Sequence, residues 1–79
     1  MALQIILAAT LRKCVSEYDP VSGHWLEISS PMNVKELAER LGIPTDEVKL
    51  IMVNGLSAKW DSPLNGDERV AFFPPVGGG

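Results

Sequence analysis

Asn33-Val34-Lys35-Glu36-Leu37-Ala38-Glu39-Arg40-Leu41-Gly42 is the stretch around which the rest of the chain must be arranged. Val34, Leu37, Ala38 and Leu41 fall at i, i+3, i+4 and i+7, which puts them on one face of a helix. Lys35, Glu36, Glu39 and Arg40 take the opposite face, and Glu36 sits one turn before Arg40 as a favourable pair. Asn33 is a good N-cap, and Glu36 three residues on completes a capping box. Gly42 is the expected stop, because only glycine enters the left-handed region without a steric cost. A helix of about two turns with one apolar stripe needs a sheet to cover it.

The flanks supply that sheet. Leu3, Ile5, Leu7, Ala9 and Leu11 are apolar and two apart, so a first strand with one apolar face is predicted there. Tyr18-Asp19-Pro20 and Ser22-Gly23 are turn residues. His24 to Ile28 reads as a second strand, Trp25 and Glu27 on one face and Leu26 and Ile28 on the other. The two strands form a hairpin with a long connection. Past the helix, Val48 to Val53 reads as a strand well inside the sheet or with a contact surface on its outer side, Asn54-Gly55 as a turn and Ser57 to Trp60 as a short edge strand. Pro63-Leu64 and Asn65-Gly66-Asp67 read as a further turn, and Arg69 to Phe73 as the last strand. Pro74 and Pro75 have no N–H to donate, so pairing ends there. Strand, strand, helix, strand, short strand, strand is an α+β order. It describes a β-grasp, the ubiquitin architecture: a mixed sheet of four to five strands with one main helix on one face. The domain is predicted over residues 1–75, with a flexible glycine tail over 76–79.

Composition narrows the function. A 79-residue chain makes one domain with a modest core. The net charge of -3 speaks against nucleic acid, which needs clustered Lys and Arg. Cys14 is the lone cysteine, so neither an internal disulfide nor a four-cysteine metal site can form. No metal ligand set is predicted, and a cytoplasmic protein is the simplest reading. His24, the single histidine, is read as an exposed loop residue far in sequence from Cys14 and Ser16. Met1 to Ala9 is apolar but too short to span a bilayer and lacks the positive flank of a signal peptide, so no membrane role is expected. No convergent acid, base and nucleophile suggests an enzyme.

The end of the chain is the unusual part. Gly77, Gly78 and Gly79 have no packing value and cost entropy to order. The four residues after Pro75 reach about 13 Å at roughly 3.3 Å each. Pro74 and Pro75 favour the polyproline II conformation, which would hold the base of the tail away from the sheet. Such an arm suits delivery of a carboxylate into another protein's site. There it could attack the α-phosphate of ATP to give an acyl-adenylate, which a sulfur nucleophile would then open. The glycines do not form a phosphate loop, since no strand-to-helix turn follows them, so the partner would supply the ATP pocket. Phe72 and Phe73 point to opposite faces of the last strand, one under the helix and one on the open face. With Ile51 or Val53 nearby, that open face could present an apolar patch. Trp25 and Trp60 are read as half-buried sheet residues, Met32 and Met52 as packing.

Val53-Asn54-Gly55, Pro63-Leu64-Asn65-Gly66-Asp67-Glu68 and, above all, Val70-Ala71-Phe72-Phe73-Pro74-Pro75-Val76-Gly77-Gly78-Gly79 resemble the MoaD/ThiS ubiquitin-like sulfur carriers. The Pro-Pro form is closer to the molybdopterin-type members than to the thiamin-type ones. The resemblance implies a carrier rather than an enzyme, with no permanently bound cofactor. Gly79 would be adenylated with the partner's ATP and then thiocarboxylated, and Gly78 completes the pair. Phe72, Phe73, Pro74, Pro75, Val76, Gly77 and Gly78 would meet the partner. Implied partners are a ubiquitin-activating-type adenylating enzyme, a sulfur donor protein and the large subunit of molybdopterin synthase. The chain departs from the family at Gly77, often another small residue there, and at Gly66-Asp67, one residue early relative to the last strand; the latter makes Arg69 a poor heir to any family role. Thiamin or another thiolation pathway, a protein modifier joined through Gly79, and a non-covalent interaction module are the alternatives.

Overall fold

The structure, a computed structural model, describes residues 2–16 and 18–75. Its strands are β1 (Ala2–Leu7), β2 (His24–Glu27), β3 (Met32–Asn33), β4 (Leu50–Val53), β5 (Leu56–Ser57), β6 (Pro63–Leu64) and β7 (Arg69–Phe73), with one α-helix, α1 (Val34–Leu41). Five strands form a mixed sheet in the order β2-β1-β7-β4-β5, and β3 and β6 form a small second sheet. The central pair, β1 and β7, is parallel, with Ile5 opposite Val70 and Leu7 opposite Phe72. The other pairs are antiparallel. This is the β-grasp layout that the pattern predicts.

The helix follows its sequence signals. Asn33 accepts from the Glu36 N–H at 2.8 Å, and the Glu36 carboxylate accepts from the Asn33 N–H at 3.0 Å. Gly42 closes the other end at φ 76°. Two further N–H groups of the first turn, which a helix cannot satisfy itself, go to the loop ahead of β6: Val34 to the Ser62 carbonyl at 3.1 Å and Lys35 to that of Trp60 at 2.9 Å. Val34, Leu37 and Ala38 are buried with Leu3, Ile5, Leu7, Val70 and Phe72 in one core between helix and sheet.

Several expectations are corrected. The period-two run does not continue as a strand to Leu11. Pairing with β2 stops at Ile5 and His24, and the Tyr18 hydroxyl accepts the Leu7 N–H at 2.8 Å in place of a strand partner. The chain then turns through Ala9 at φ 50° into a 3₁₀ turn, Ala9–Cys14. Ala9 is exposed, and Leu11 reaches the core from that turn. Val48 lies ahead of β4 because its N–H closes a 3₁₀ turn, Thr45–Glu47, on the Thr45 carbonyl. Pro63 and Leu64 form a strand against Asn33 and Met32, not a turn. His24 is a half-buried residue of β2, and Trp60 lies outside any strand. Trp25 is 56% exposed, not half-buried, because its side of β2 faces away from the helix at the sheet's edge.

Candidate functional site

The residues that lead to the tail sit on a central strand. β7 is held by β1 on one side and β4 on the other. At its end the Phe72 carbonyl accepts the Ala8 N–H at 3.2 Å, and the Phe73 carbonyl accepts the Lys49 N–H at 2.8 Å. The root of the tail is therefore fixed from both sides up to Phe73. Pro74 is buried and Pro75 exposed. Val76, Gly77, Gly78 and Gly79, and with them the expected site of chemistry, lie outside the described residues.

The two phenylalanines divide as the alternation requires. Phe72 is fully buried and its ring stacks on Trp60 with centroids 6.2 Å apart. It faces the core, so it offers a partner no surface. Buried Pro74 likewise presents little. Expected from the sequence to meet a partner, these two residues are buried in the chain itself, where they anchor the strand end. Phe73 is half-buried on the open face.

That open face carries an apolar surface that includes Phe73, as expected, but with Leu50 and Met52 in place of Ile51 or Val53. Ile51 is 5% exposed and faces the helix, because the register pairs it with buried Phe72. Leu50 and Met52, opposite Phe73 and Ala71, take the open side instead. Ile6, Met52, Ala71 and Phe73, with Gly55 and Arg69 at one end, line a hollow of about 240 Å³. Leu50 at 43% and Trp25 at 56% exposure extend the apolar surface. Met52, read from sequence as packing, lines this hollow; its alternation with buried Ile51 was the available signal.

The turn before β7 has a device that the sequence did not announce. Glu68 is 8% exposed. Its carboxylate accepts the N–H groups of Asn65, Gly66 and Asp67 at 2.8 to 3.2 Å, while its carbonyl accepts the Gln4 N–H at 3.1 Å. Burial pushes this carboxyl up, but the N–H groups of Gly66, Asn65, Glu68 itself and Asp67 outweigh it and hold it below the usual range. The long hairpin connection is locked in a similar way. Asp19 accepts from the Val21 and Ser22 N–H groups and from the Ser22 hydroxyl, and those bonds lower its pKa in the order Val21 N–H, Ser22 hydroxyl, Ser22 N–H.

Among the described residues no group of three or more His, Cys, Asp and Glu could hold a metal, and no helix is long and apolar enough to cross a membrane. Cys14 is half-buried. The arrangement offers an apolar face beside a fixed strand end from which the glycine run continues.

Comparison with known proteins agrees with this geometry. The model of the ThiS family matches residues 5–79. No curated protein sequence matches the chain. Among solved structures, SAMP1 from Haloferax volcanii superposes with a TM-score of 0.73 at 16% identity, covering 100% of both chains. A second structure of that small archaeal modifier protein 1 gives 0.71 at 17%, over 95% of this chain and 98% of that one. A protein described as molybdopterin converting factor, subunit 1, from Pyrococcus furiosus gives 0.69 at 22%, again over 95% and 98%. At these identities the likenesses establish the fold.

Proposed function

The chain belongs to the ThiS family, and on that premise we propose that it is a sulfur carrier whose Gly79 carboxylate is the working group. The observation that carries the reading is the extent of the family match, which runs through Gly79. The terminal glycines lie within the matched span, which supports the reading.

A carboxylate oxygen of Gly79 attacks the α-phosphate of ATP held by an adenylating partner of the ubiquitin-activating type. Pyrophosphate leaves and a mixed anhydride forms. Hydrosulfide released by a donor protein attacks the acyl carbon, AMP departs with the bonding pair, the S–H proton is lost, and a thiocarboxylate remains. Adenylation supplies the good leaving group that a bare carboxylate lacks. Glycines let the partner's backbone close around the tail, while the open face from Trp25 to Leu50 gives the partner an apolar area to cover.

The Pro74-Pro75 run favours molybdopterin assembly as the destination, with the large subunit of molybdopterin synthase as recipient; thiamin or another thiolation pathway is the alternative. Incubation with an adenylating enzyme from the same genome, ATP and a sulfur donor is expected to raise the intact mass by the difference between sulfur and oxygen. An unchanged mass alongside full turnover of a cognate carrier would remove the reading.

A second reading is favoured by the likeness to small archaeal modifier protein 1: attachment of Gly79 to lysines of other proteins through an isopeptide bond. Arg69 is the last basic residue, so trypsin would leave the whole of Val70 to Gly79 on a modified lysine, and digests should be searched for that remnant.

A further inference from the structure

We propose that the root of the tail carries an electrical dipole that sets the angle at which the chain docks on its adenylating partner. The inference rests on the carrier reading and adds to it the chemistry of the partner's surface.

Two charged shoulders flank the end of β7. On the β1 side, the 3₁₀ turn Ala9–Cys14 packs against β7 and carries Arg12 and Lys13 side by side, both exposed. Arg12 is pinned: its Nε donates to the Leu7 carbonyl at 3.2 Å, and Leu7 lies opposite Phe72. No acidic residue occupies the first turn of that element. On the β4 side, the 3₁₀ turn Thr45–Glu47 carries Asp46 and Glu47, also exposed. They lie three and two residues ahead of Lys49, whose N–H holds the Phe73 carbonyl.

The end of β7 thus lies between a pair of cations on one side and, beyond the exposed Lys49 beside it, a pair of anions on the other. The turns that carry the poles adjoin β1 and β4, which β7 separates and which are therefore two strand spacings, roughly 10 Å, apart, comparable to the Debye length of about 8 Å in physiological salt. Each pole acts on the partner surface directly opposite it. Both poles stand on hydrogen-bonded turns, with Leu11 N–H on the Ala8 carbonyl and Val48 N–H on that of Thr45, so little ordering is needed on docking. In a chain of net charge -3, overall attraction would call for a uniformly basic partner. Opposed poles call for something more specific: a channel mouth with carboxylates facing Arg12 and Lys13 and with Lys or Arg facing Asp46 and Glu47. A chain rotated by half a turn would meet like charges on both sides, so the dipole rejects the wrong angle as well as favouring the right one.

The test is the kcat/KM of ATP–pyrophosphate exchange by an adenylating enzyme from the same genome, with the full chain as substrate, in low and in high salt. The wild type is measured first; its failure to support exchange would remove the carrier reading itself, and this proposal with it. Given wild-type exchange, R12E/K13E and D46K/E47K are each expected to lower kcat/KM about ten-fold at low salt, with kcat retained and the deficit shrinking as salt rises. K35E/R40E, on the exposed face of α1, changes the net charge as R12E/K13E does and is expected to stay within about two-fold of wild type. Equal effects of R12E/K13E and K35E/R40E, or no effect of either shoulder variant, would overturn the dipole. If R12E/K13E does not fold, R12Q/K13Q takes its place, with a smaller loss in the same direction expected and no loss overturning the proposal.

Discussion

The backbone N–H of Lys49 meets the carbonyl of Phe73 at 2.8 Å, and the next two residues, Pro74 and Pro75, have no N–H to extend the ladder. Fold and function meet at this bond. Up to it the chain is a central strand locked on both sides; beyond it come Pro74, Pro75, Val76 and three glycines. Deleting Gly78 and Gly79 is therefore expected to leave the melting temperature unchanged and to abolish adenylation, as thermal melts and pyrophosphate exchange would show.

Phe72 and Phe73 are expected to separate stability from recognition. Phe72→Ala removes a fully buried ring and its stack on Trp60, a loss of about 3–5 kcal/mol. That is a large part of what a domain this small has to spend. Met52→Lys, on the open face, is expected to keep the fold and raise the KM for the carrier in adenylation about ten-fold, as loss of one apolar contact implies. Chemical denaturation and steady-state kinetics would read the two effects.

Glu68 gives a pH dependence with a definite sign. Its folded pKa is depressed, so its contribution is full above the unfolded glutamate value of about 4.3 and is lost as pH falls through the folded value. Asp19, also depressed, acts in the same direction. Stability should be flat from neutral pH down to about 5 and then fall. Glu68→Ala is expected to cost about 1–3 kcal/mol at neutral pH, because it strands N–H groups of the turn, and to flatten the acid limb. Urea titrations at several pH values would check both.

Gly23 is a position where no side chain fits. Its φ is 82°, and a Cβ there would stand 2.6 Å from the Ile5 carbonyl oxygen and 2.7 Å from Ile6 Cδ1. Gly23→Ala should shift β2 away from β1 and lower the melting temperature. Gly55→Ala, also at positive φ but with nothing within 4 Å, should cost only the backbone strain, about 1 kcal/mol.

The sequence was legible where a local rule acted alone. The capping box at Asn33 and Glu36, the stop at Gly42 and the limits of β7 at Arg69 and Phe73 all follow from adjacent residues. It failed where a distant partner decided the outcome. Ala9 and Leu11 continue the period-two pattern, but β2 pairs no further than Ile5, the Tyr18 hydroxyl takes the Leu7 N–H, and the Leu11 N–H turns back to the Ala8 carbonyl. Pro63 and Leu64 look like a turn until Met32 and Asn33 are brought alongside. Ile51 and Met52 are both apolar, so the side of the sheet each takes depended on register with Phe72 and Ala71. Glu68 was read only as part of the stretch that carries the resemblance, because a nest of backbone N–H groups leaves no mark in residue identity.

The most direct test of the account is the mass of the tryptic peptide Val70 to Gly79 after the chain has been incubated with its adenylating enzyme, ATP and a sulfur donor. The expected result is a gain equal to sulfur minus oxygen, confined to the C-terminal residue and dependent on ATP. An unmodified peptide from a preparation whose enzyme charges its cognate carrier, or sulfur found on Cys14 in its place, would contradict it.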